Sequence, residues 1–555
     1  MSGRSGPKDE DEVRADLEHG SIPAAARAAA RRYSDREAVV DGDVRCTFSE
    51  LWTAATTTAR AFITDGVQPG DRVAIWAPNS WEWIVALLGA QAAGGVLVPL
   101  NTRYKGDEAA DILRRSRTRV LCTVNGFLGV DFVGLLAGED LPYLRSTVLL
   151  SGDAAGEAVA WSDYVELAVG CPPEEVDARV DSLGPESVAD LIFTSGTTGR
   201  PKGVVATHGQ ALRAFGQWSA IMGLEAGDRY LMVNPMFHTF GYKAGIVACL
   251  LTGATMLPVR TFDAGDLCRL AARERATVLP GPPTLYQSLL DYPGRTGADL
   301  SSLRMAATGA AVIPTALVDQ MRSELGIDTV VTAYGLTEAC GFVTACRRGD
   351  SAETIASTSG RAIPGVEVKV VDEERREVAR GLPGEVVCRG YNVMREYFED
   401  PTQTAVAIDE AGWLHTGDVA TMDADGNIRI VDRLKDMYIV GGFNAYPAEI
   451  EHLLRAHPAI ANAAVVGVPD ERLGEVGVAF VVARAGEEPD EDSVIAWARE
   501  HMANFKVPRE VHVVDALPLN ASGKVQKSEL RERALAPHRS GGSARGRARG
   551  AGSIS

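Results

Sequence analysis

The sequence predicts an α/β protein with a large multi-part N-terminal body and a small α+β C-terminal domain. Three observations predict it. Apolar runs ending at Gly or Pro alternate with helical stretches over much of the first 310 residues. After about Ser359 the texture turns to short alternating strands, and from Lys435 onward to a mixed segment of about 100 residues, enough for a separate domain. The chain has 555 residues, which at ~150 per domain implies three or four compact units.

The elements follow in chain order. Residues 1–20 are strongly charged and are expected to be disordered, and IPAAARAAARRYSDREAV (22–39) reads as a helical lead into the body. Arg72 to Leu100 reads as strand, helix, strand. Its apolar part from Trp83 is too interrupted, by Gln91, Gly94-Gly95 and Pro99, for a membrane span of ~20 continuous apolar residues. Thr118 to Val124 adds a strand, and a second series starts near Ala189 and runs through RYLMVNP, ATMLPV, ATVLPG and LRMAATGA. In such sheets ligands gather beyond the carboxyl ends of the strands. VEVKVVDEERREV, LPGEVVCRG and GNIRIVDR suggest a small antiparallel β unit. The C-terminal segment reads as a strand, helix AEIEHLLRAH, strands NAAVVGVPD and GVAFVVAR, helix DSVIAWAREHM and strand EVHVVD. Residues 538–555, rich in Gly, Ser and Arg, are expected to be disordered.

Composition narrows function. Apolar residues are 46% and charged residues 23%, an ordinary globular balance. With 56 Lys and Arg against 74 Asp and Glu, the net charge of −18 repels nucleic acid and anionic membranes, so neither is an expected partner. The eight cysteines show no CxxC pair and no metal spacing, which suits reduced core thiols in a cytoplasmic protein. The charged N-terminus shows no secretory signal.

The most informative segment is ADLIFTSGTTGRPKGVVATH, residues 189–208. A strand delivers the chain into Thr194, Ser195, Gly196, Thr197, Thr198 and Gly199, and Lys202 follows. Polyphosphate needs close backbone approach, several donors and a cation, and the segment supplies all three. It is not a Walker A loop, because Pro201 and Gly203 flank the lysine, and no G-x-G-x-x-G dinucleotide motif opens a helix after a strand. On its own the string has a lesser alternative reading as a Ser/Thr/Gly surface loop.

SGTTGRPKG resembles the signature loop of the adenylate-forming superfamily, which includes acyl-CoA synthetases, peptide-synthetase adenylation domains and luciferases. Further matches follow in the family's order: YGLTE (334–338), GWLHTGD (412–418), DRLKD (432–436) with GGFN (441–444), and LNASGK (519–524). The resemblance covers roughly residues 20 to 535. It implies a body of two α/β layered subdomains plus a small β-barrel over 21–433, and a mobile domain over 434–537.

The reaction the resemblance implies is activation of a carboxylic acid by ATP to an acyl-adenylate, followed by thiol attack. Thr194, Ser195, Gly196, Thr197, Thr198 and Lys202 would hold the β- and γ-phosphates, Glu338 the Mg²⁺, and Thr337 the α-phosphate. Asp418 would accept from the ribose diol with Arg433 donating nearby, Tyr334 would stack on adenine, and the turn Gly309, Ala310, Ala311 would meet the base edge. Lys524 is the strongest catalytic candidate, its ammonium bridging the attacking carboxylate and phosphate. Lys435 is the implied hinge, bringing Gly441, Gly442 and Phe443 to a coenzyme A tunnel. His238 corresponds to the aromatic gate of the acyl site, and Phe237, Gly241, Tyr242, Pro283, Thr284, Gly335, Ala339 and Cys340 are the candidate pocket residues. Small residues there suit a roomy cavity. The resemblance is nearest to actinobacterial ligases for polycyclic acids from steroids or diterpenoids, with fatty and aryl acids left open. Expected cofactors are ATP, Mg²⁺ and coenzyme A. A carrier protein or partner ligase is the alternative acyl acceptor, and the oligomeric state is left open, with a homodimer as one candidate.

Overall fold

The computed structural model of the chain describes residues 12–153, 156–194, 201–309, 313–433, 436–440, 443–470, 472–502, 504–519 and 524–536. The chain divides into two compact units between Lys435 and Asp436, not the three or four that length implied. The reason is packing: the two α/β sheets of the first unit share one continuous core, so they cannot be separate domains.

The first of these sheets orders its strands Glu396–Tyr397, Lys202–Thr207, Val188–Thr194, Val96–Pro99, Arg72–Trp76, Thr118–Val124, Ser146–Ser151 and Val159–Ala160. The second runs Arg361–Ala362, Thr344–Ala345, Thr329–Tyr334, Met305–Thr308, Val278–Pro280, Arg229–Met232, Thr255–Pro258, Glu37–Asp41 and Val44–Thr47. Helix Trp81–Ala92 is buried on nearly every side from Trp83 onward, and helix His208–Met222 likewise, as apolar sequence all round a helix requires. Gly94 takes φ +85° at the turn into Val96–Pro99, so the apolar stretch from Trp83 is the buried helix, turn and strand its interruptions implied. Asn79 joins the two sheets, donating to the Met232 and Asn234 carbonyls and accepting from the Met236 amide.

Three expectations are corrected. Residues 15–19 form a helix whose approach is fixed by Arg213 pairing with Glu12 and by Val13 and Ala15 lying over Gly216, so the disorder expected through residue 20 does not extend that far. The helix after it ends at Arg32, because Glu37–Asp41 pairs in the second sheet. The small β unit is a four-stranded antiparallel sheet, Val366–Val371, Gly384–Gly390, Leu414–Met422 and Ile428–Arg433; no pairing among the described residues closes it into a barrel.

In the second unit a long hairpin, Ile460–Asp470 with Gly474–Ala483, forms the centre of the sheet. The run AAVVGV (463–468) is apolar at every position because both faces are covered. Ala463 and Val465 face a core with Tyr438, Ile450, Leu454 and Val494, while Ala464 and Val466 face another with Phe480 and Leu530. Helix Lys527–Leu535, which supplies Leu530, has no counterpart in the sequence reading. No helix among the described residues is long and apolar enough to cross a membrane. All eight cysteines are free and buried.

Candidate functional site

Strands Thr329–Tyr334, Met305–Thr308, Val278–Pro280 and Arg229–Met232 are adjacent, and each pair is parallel. The loops that follow them therefore line up along one sheet edge, which places Tyr334, Gly309, Pro283 and the Asn234–Lys243 segment in a row.

The SGTTGRP segment joins two antiparallel strands, with Thr194 opposite Lys202. A strand after the loop, where a Walker A motif has a helix, agrees with the sequence argument. Thr194 Oγ1 donates to Glu338 Oε1 at 3.3 Å. Lys202 Nζ donates to Gln403 Oε1 at 2.6 Å and lies 4.9 Å from the centre of the Tyr397 ring. Tyr397 Oη in turn donates to Glu338 Oε1 at 3.0 Å. Ser195, Gly196, Thr197 and Thr198 lie outside the described residues, as do Ala310 and Ala311.

Thr337 and Glu338 occupy a short 3₁₀ turn, Thr337–Ala339, straight after strand Thr329–Tyr334. Gly335 permits this turn, because a Cβ there would sit 2.2 Å from the Gly341 carbonyl oxygen. Tyr334 Oη donates to Asp418 Oδ2 at 2.6 Å, and burial with the Asp418 charge holds the phenol well above its ordinary pKa, so it stays a donor. Asp418 is itself buried, and its strand pairs it in register with Arg433.

A carboxylate with both of its described hydrogen bonds on one oxygen suits a hard cation shared with phosphate oxygens. No cluster of three or more His, Cys, Asp or Glu among the described residues could cage a metal, so Glu338 fits Mg²⁺ carried in with a nucleotide better than a resident ion.

His238 is exposed ahead of a π-type helix, Phe240–Val247, and its Nδ1 accepts from the Phe240 amide at 3.2 Å. Phe237 is half-buried, Pro283 opens helix Pro283–Asp291, Thr284 is exposed, and Gly241 packs against the Pro235 carbonyl. Ala339 is wholly buried. Two expected pocket residues belong to the interior instead. Tyr242 is wholly buried, its hydroxyl accepting from Gln91 Nε2 at 3.0 Å, and the Cys340 sulfur lies 3.4 Å from Lys243 Nζ. Lys243 also pairs with Asp190 at 3.0 Å, with both side chains 1% exposed. Packed polar groups that bond one another are not available to line a cavity.

In the second unit Lys524 is exposed beside a bridge between Leu519 and Val525, and Phe443 lies in strand Phe443–Ala445. Lys435, Gly441 and Gly442 lie outside the described residues. Sequence reasoning passed over Tyr397, Gln403, Lys243 and Asp190. Asp190 and Lys243 lie in the quoted segments 189–208 and 234–243 without a signal of their own, Tyr397 and Gln403 stand in no motif, and only the pairing of Glu396–Tyr397 with the strand after the loop brings Tyr397 to Lys202.

Comparison with known proteins places the chain in a family. A protein 52% identical over 92% of this chain and 98% of its own length is the 3-[(3aS,4S,7aS)-7a-methyl-1,5-dioxo-octahydro-1H-inden-4-yl]propanoyl:CoA ligase of Mycobacterium tuberculosis. The enzyme of the same name from Rhodococcus jostii is 50% identical over 92% of this chain and 98% of its own. Among solved structures, the anthranilate CoA ligase AuaEII in complex with anthranoyl-AMP superposes with a TM-score of 0.83 at 27% identity, covering 94% of this chain and 99% of that one. ATP-bound MatB from Rhodopseudomonas palustris gives 0.81 at 30% identity, covering 92% and 98%. The AMP-binding enzyme model matches residues 26–398 and its C-terminal domain model residues 449–524, so the chain belongs to the AMP-binding enzyme family.

Proposed function

We propose that the protein is an AMP-forming acid–CoA ligase whose acid is a bulky fused-ring propanoate. The observation that carries the reaction is the grouping of Thr194, Lys202 and Glu338, a donor, a cation and a carboxylate converging where one loop and one turn meet. The likeness in sequence to the indanedione-propanoyl ligases supports the acid.

In the first half-reaction the acid's carboxylate attacks the α-phosphorus of ATP, the bond to the bridging oxygen breaks, and pyrophosphate leaves. Two anions meet, so the enzyme's contribution is positive potential fixed in advance. Lys202 and the loop hydroxyls hold the β- and γ-phosphates, Thr337 donates to the α-phosphate, and Asp418, oriented by Tyr334, accepts from the ribose. Glu338 would hold Mg²⁺, which when bound would supply positive charge to offset that on the leaving phosphates. Lys524 supplies the cation between carboxylate and α-phosphate. In the second half-reaction the CoA thiol attacks the acyl carbon, AMP departs and a thioester forms. His238, Phe237 and Pro283 face the acyl group, Gly441, Gly442 and Phe443 the pantetheine, and Lys435 is the pivot between half-reactions. Eight free buried cysteines favour a reducing, cytoplasmic setting.

The test incubates purified protein with ATP, Mg²⁺ and a panel of fused-ring, fatty and aryl acids, following pyrophosphate exchange and then thioester by mass spectrometry. Exchange and CoA thioester with a fused-ring propanoate support the reading, and preference for a fatty or aryl acid overturns the substrate. Exchange without CoA thioester, but with transfer to a carrier protein, overturns the acceptor. No exchange with any acid overturns the reaction. Gel filtration of the same preparation decides between monomer and homodimer.

A further inference from the structure

Lys202 and Glu338 carry opposite charges in one small site, yet each engages Tyr397. The ammonium lies over the ring at 4.9 Å, and the carboxylate accepts from the hydroxyl at 3.0 Å. Tyr397 is held from both sides. Its strand pairs with the strand that opens at Lys202, so that Tyr397 stands opposite Val204, and the Phe398 amide donates to the Gly203 carbonyl at 2.7 Å. Three residues earlier the Met394 amide donates to the Glu338 carbonyl itself at 2.7 Å. The Tyr397 amide donates to Thr404 Oγ1 at 2.9 Å, midway along helix Pro401–Ala407, whose Gln403 takes the Lys202 hydrogen bond. One stretch, Met394 to Gln403, thus fixes the backbones and the side-chain ends of both charged residues.

A flexible lysine and a carboxylate that both contact one tyrosine attract each other where solvent is partly excluded. If they paired, the cation meant for phosphate and the oxygens meant for metal would neutralise one another, and nucleotide would have to break the pair on entry. A phenol with its hydroxyl on the carboxylate and its ring beneath the ammonium satisfies each charge without joining them.

We infer that Tyr397 is a positioning residue that keeps Lys202 and Glu338 apart in the nucleotide-free enzyme, leaving the ammonium for the phosphates and presenting Glu338 to Mg²⁺. The inference rests on the ligase reading above and adds a residue to it. The two parts of the side chain have separable tasks: the hydroxyl orients Glu338, and the ring face holds the ammonium.

The experiment measures binding of a non-hydrolysable ATP analogue by calorimetry, with and without Mg²⁺, to wild type, Tyr397→Phe and Tyr397→Leu. Removing a group that orients a metal-holding carboxylate typically weakens metal binding by about 10-fold or more. Tyr397→Phe keeps the ring, so its metal-free affinity stays within about twofold of wild type while the gain on adding Mg²⁺ falls about tenfold. Tyr397→Leu loses the ring as well, and its metal-free affinity falls also, by about tenfold, as Lys202 closes on Glu338. In turnover the Phe variant shows a raised KM for MgATP with kcat little changed. An undiminished Mg²⁺ gain in Tyr397→Phe overturns the inference, as does wild-type metal-free affinity in Tyr397→Leu. Should Tyr397→Leu not fold, the Phe variant alone decides. A wild type that binds the analogue under neither condition overturns the ligase reading itself, a result distinct from either of these.

Discussion

Lys243 and Asp190 form an ion pair with both side chains 1% exposed, the ammonium 3.0 Å from Oδ2 and 3.4 Å from the Cys340 sulfur. Three strings of the site meet there. Asp190 lies on the strand leading to Thr194, Lys243 on the π-type helix after His238, and Cys340 two residues beyond Glu338. Lys243→Met leaves a bare buried carboxylate and is expected to destabilise the fold by about 3–5 kcal/mol, whereas Lys243→Met with Asp190→Asn recovers most of that loss. Urea denaturation of the single and double variants checks it; equal losses in both would show that the pair is not the source.

Glu338→Gln keeps the shape and removes the charge that would hold Mg²⁺. Pyrophosphate exchange is expected to fall about 100-fold or more. The loss should be smaller at saturating Mg²⁺, so exchange measured across a Mg²⁺ series checks both the size and the cause. A loss independent of Mg²⁺ would reassign Glu338 to a structural role.

Lys524→Ala is expected to separate the half-reactions. Acyl-adenylate formation is expected to fall by about 100- to 1,000-fold, while synthetic acyl-adenylate is still converted to thioester at close to the wild-type rate. Stopped assays of each half-reaction decide, and equal loss in both would refute alternation of the C-terminal domain between two tasks.

Tyr334→Phe deletes the 2.6 Å hydrogen bond to Asp418. A hydrogen bond to a charged group contributes about 1.5 kcal/mol or more, so KM for ATP is expected to rise about tenfold with kcat little changed. Steady-state kinetics with ATP varied at saturating acid and CoA checks this.

Stability should fall on acidification partly through His208. Burial first, and the Lys243 charge second, push the imidazole down to about 3, and its Nδ1 accepts from the Ile22 amide. The unfolded chain takes up this proton below about pH 6.5 and the folded chain does not, so stability falls by about 1.4 kcal/mol per pH unit between there and pH 3. Above pH 6.5 both states are neutral and the contribution is flat. His208→Gln is expected to show a shallower slope in urea-derived stability between pH 6 and 4.5; an unchanged slope would place the acid sensitivity elsewhere.

What could be read from the chain alone follows the range of the physics. The strand into Thr194, the lysine after the loop and the strand end at Thr308 were legible because each lies within a few residues of its own signal. The shared core of the first unit was not legible, since no local pattern says that two sheets will bury the same helices. Lys243 and Asp190 stand 53 residues apart in sequence, and each alone reads as an ordinary surface charge. Tyr397 escaped for a related reason. A two-residue strand carries no periodicity, and only its pairing beside Val204 shows what the ring touches.

The eight buried cysteines have a practical consequence for every assay named above. The folded enzyme presents no accessible thiol of its own among these residues, so a colorimetric thiol reagent added to a running reaction reads coenzyme A alone. Consumption of free CoA can then be followed without a protein blank. A slow rise in protein labelling during the same measurement becomes an internal alarm for unfolding.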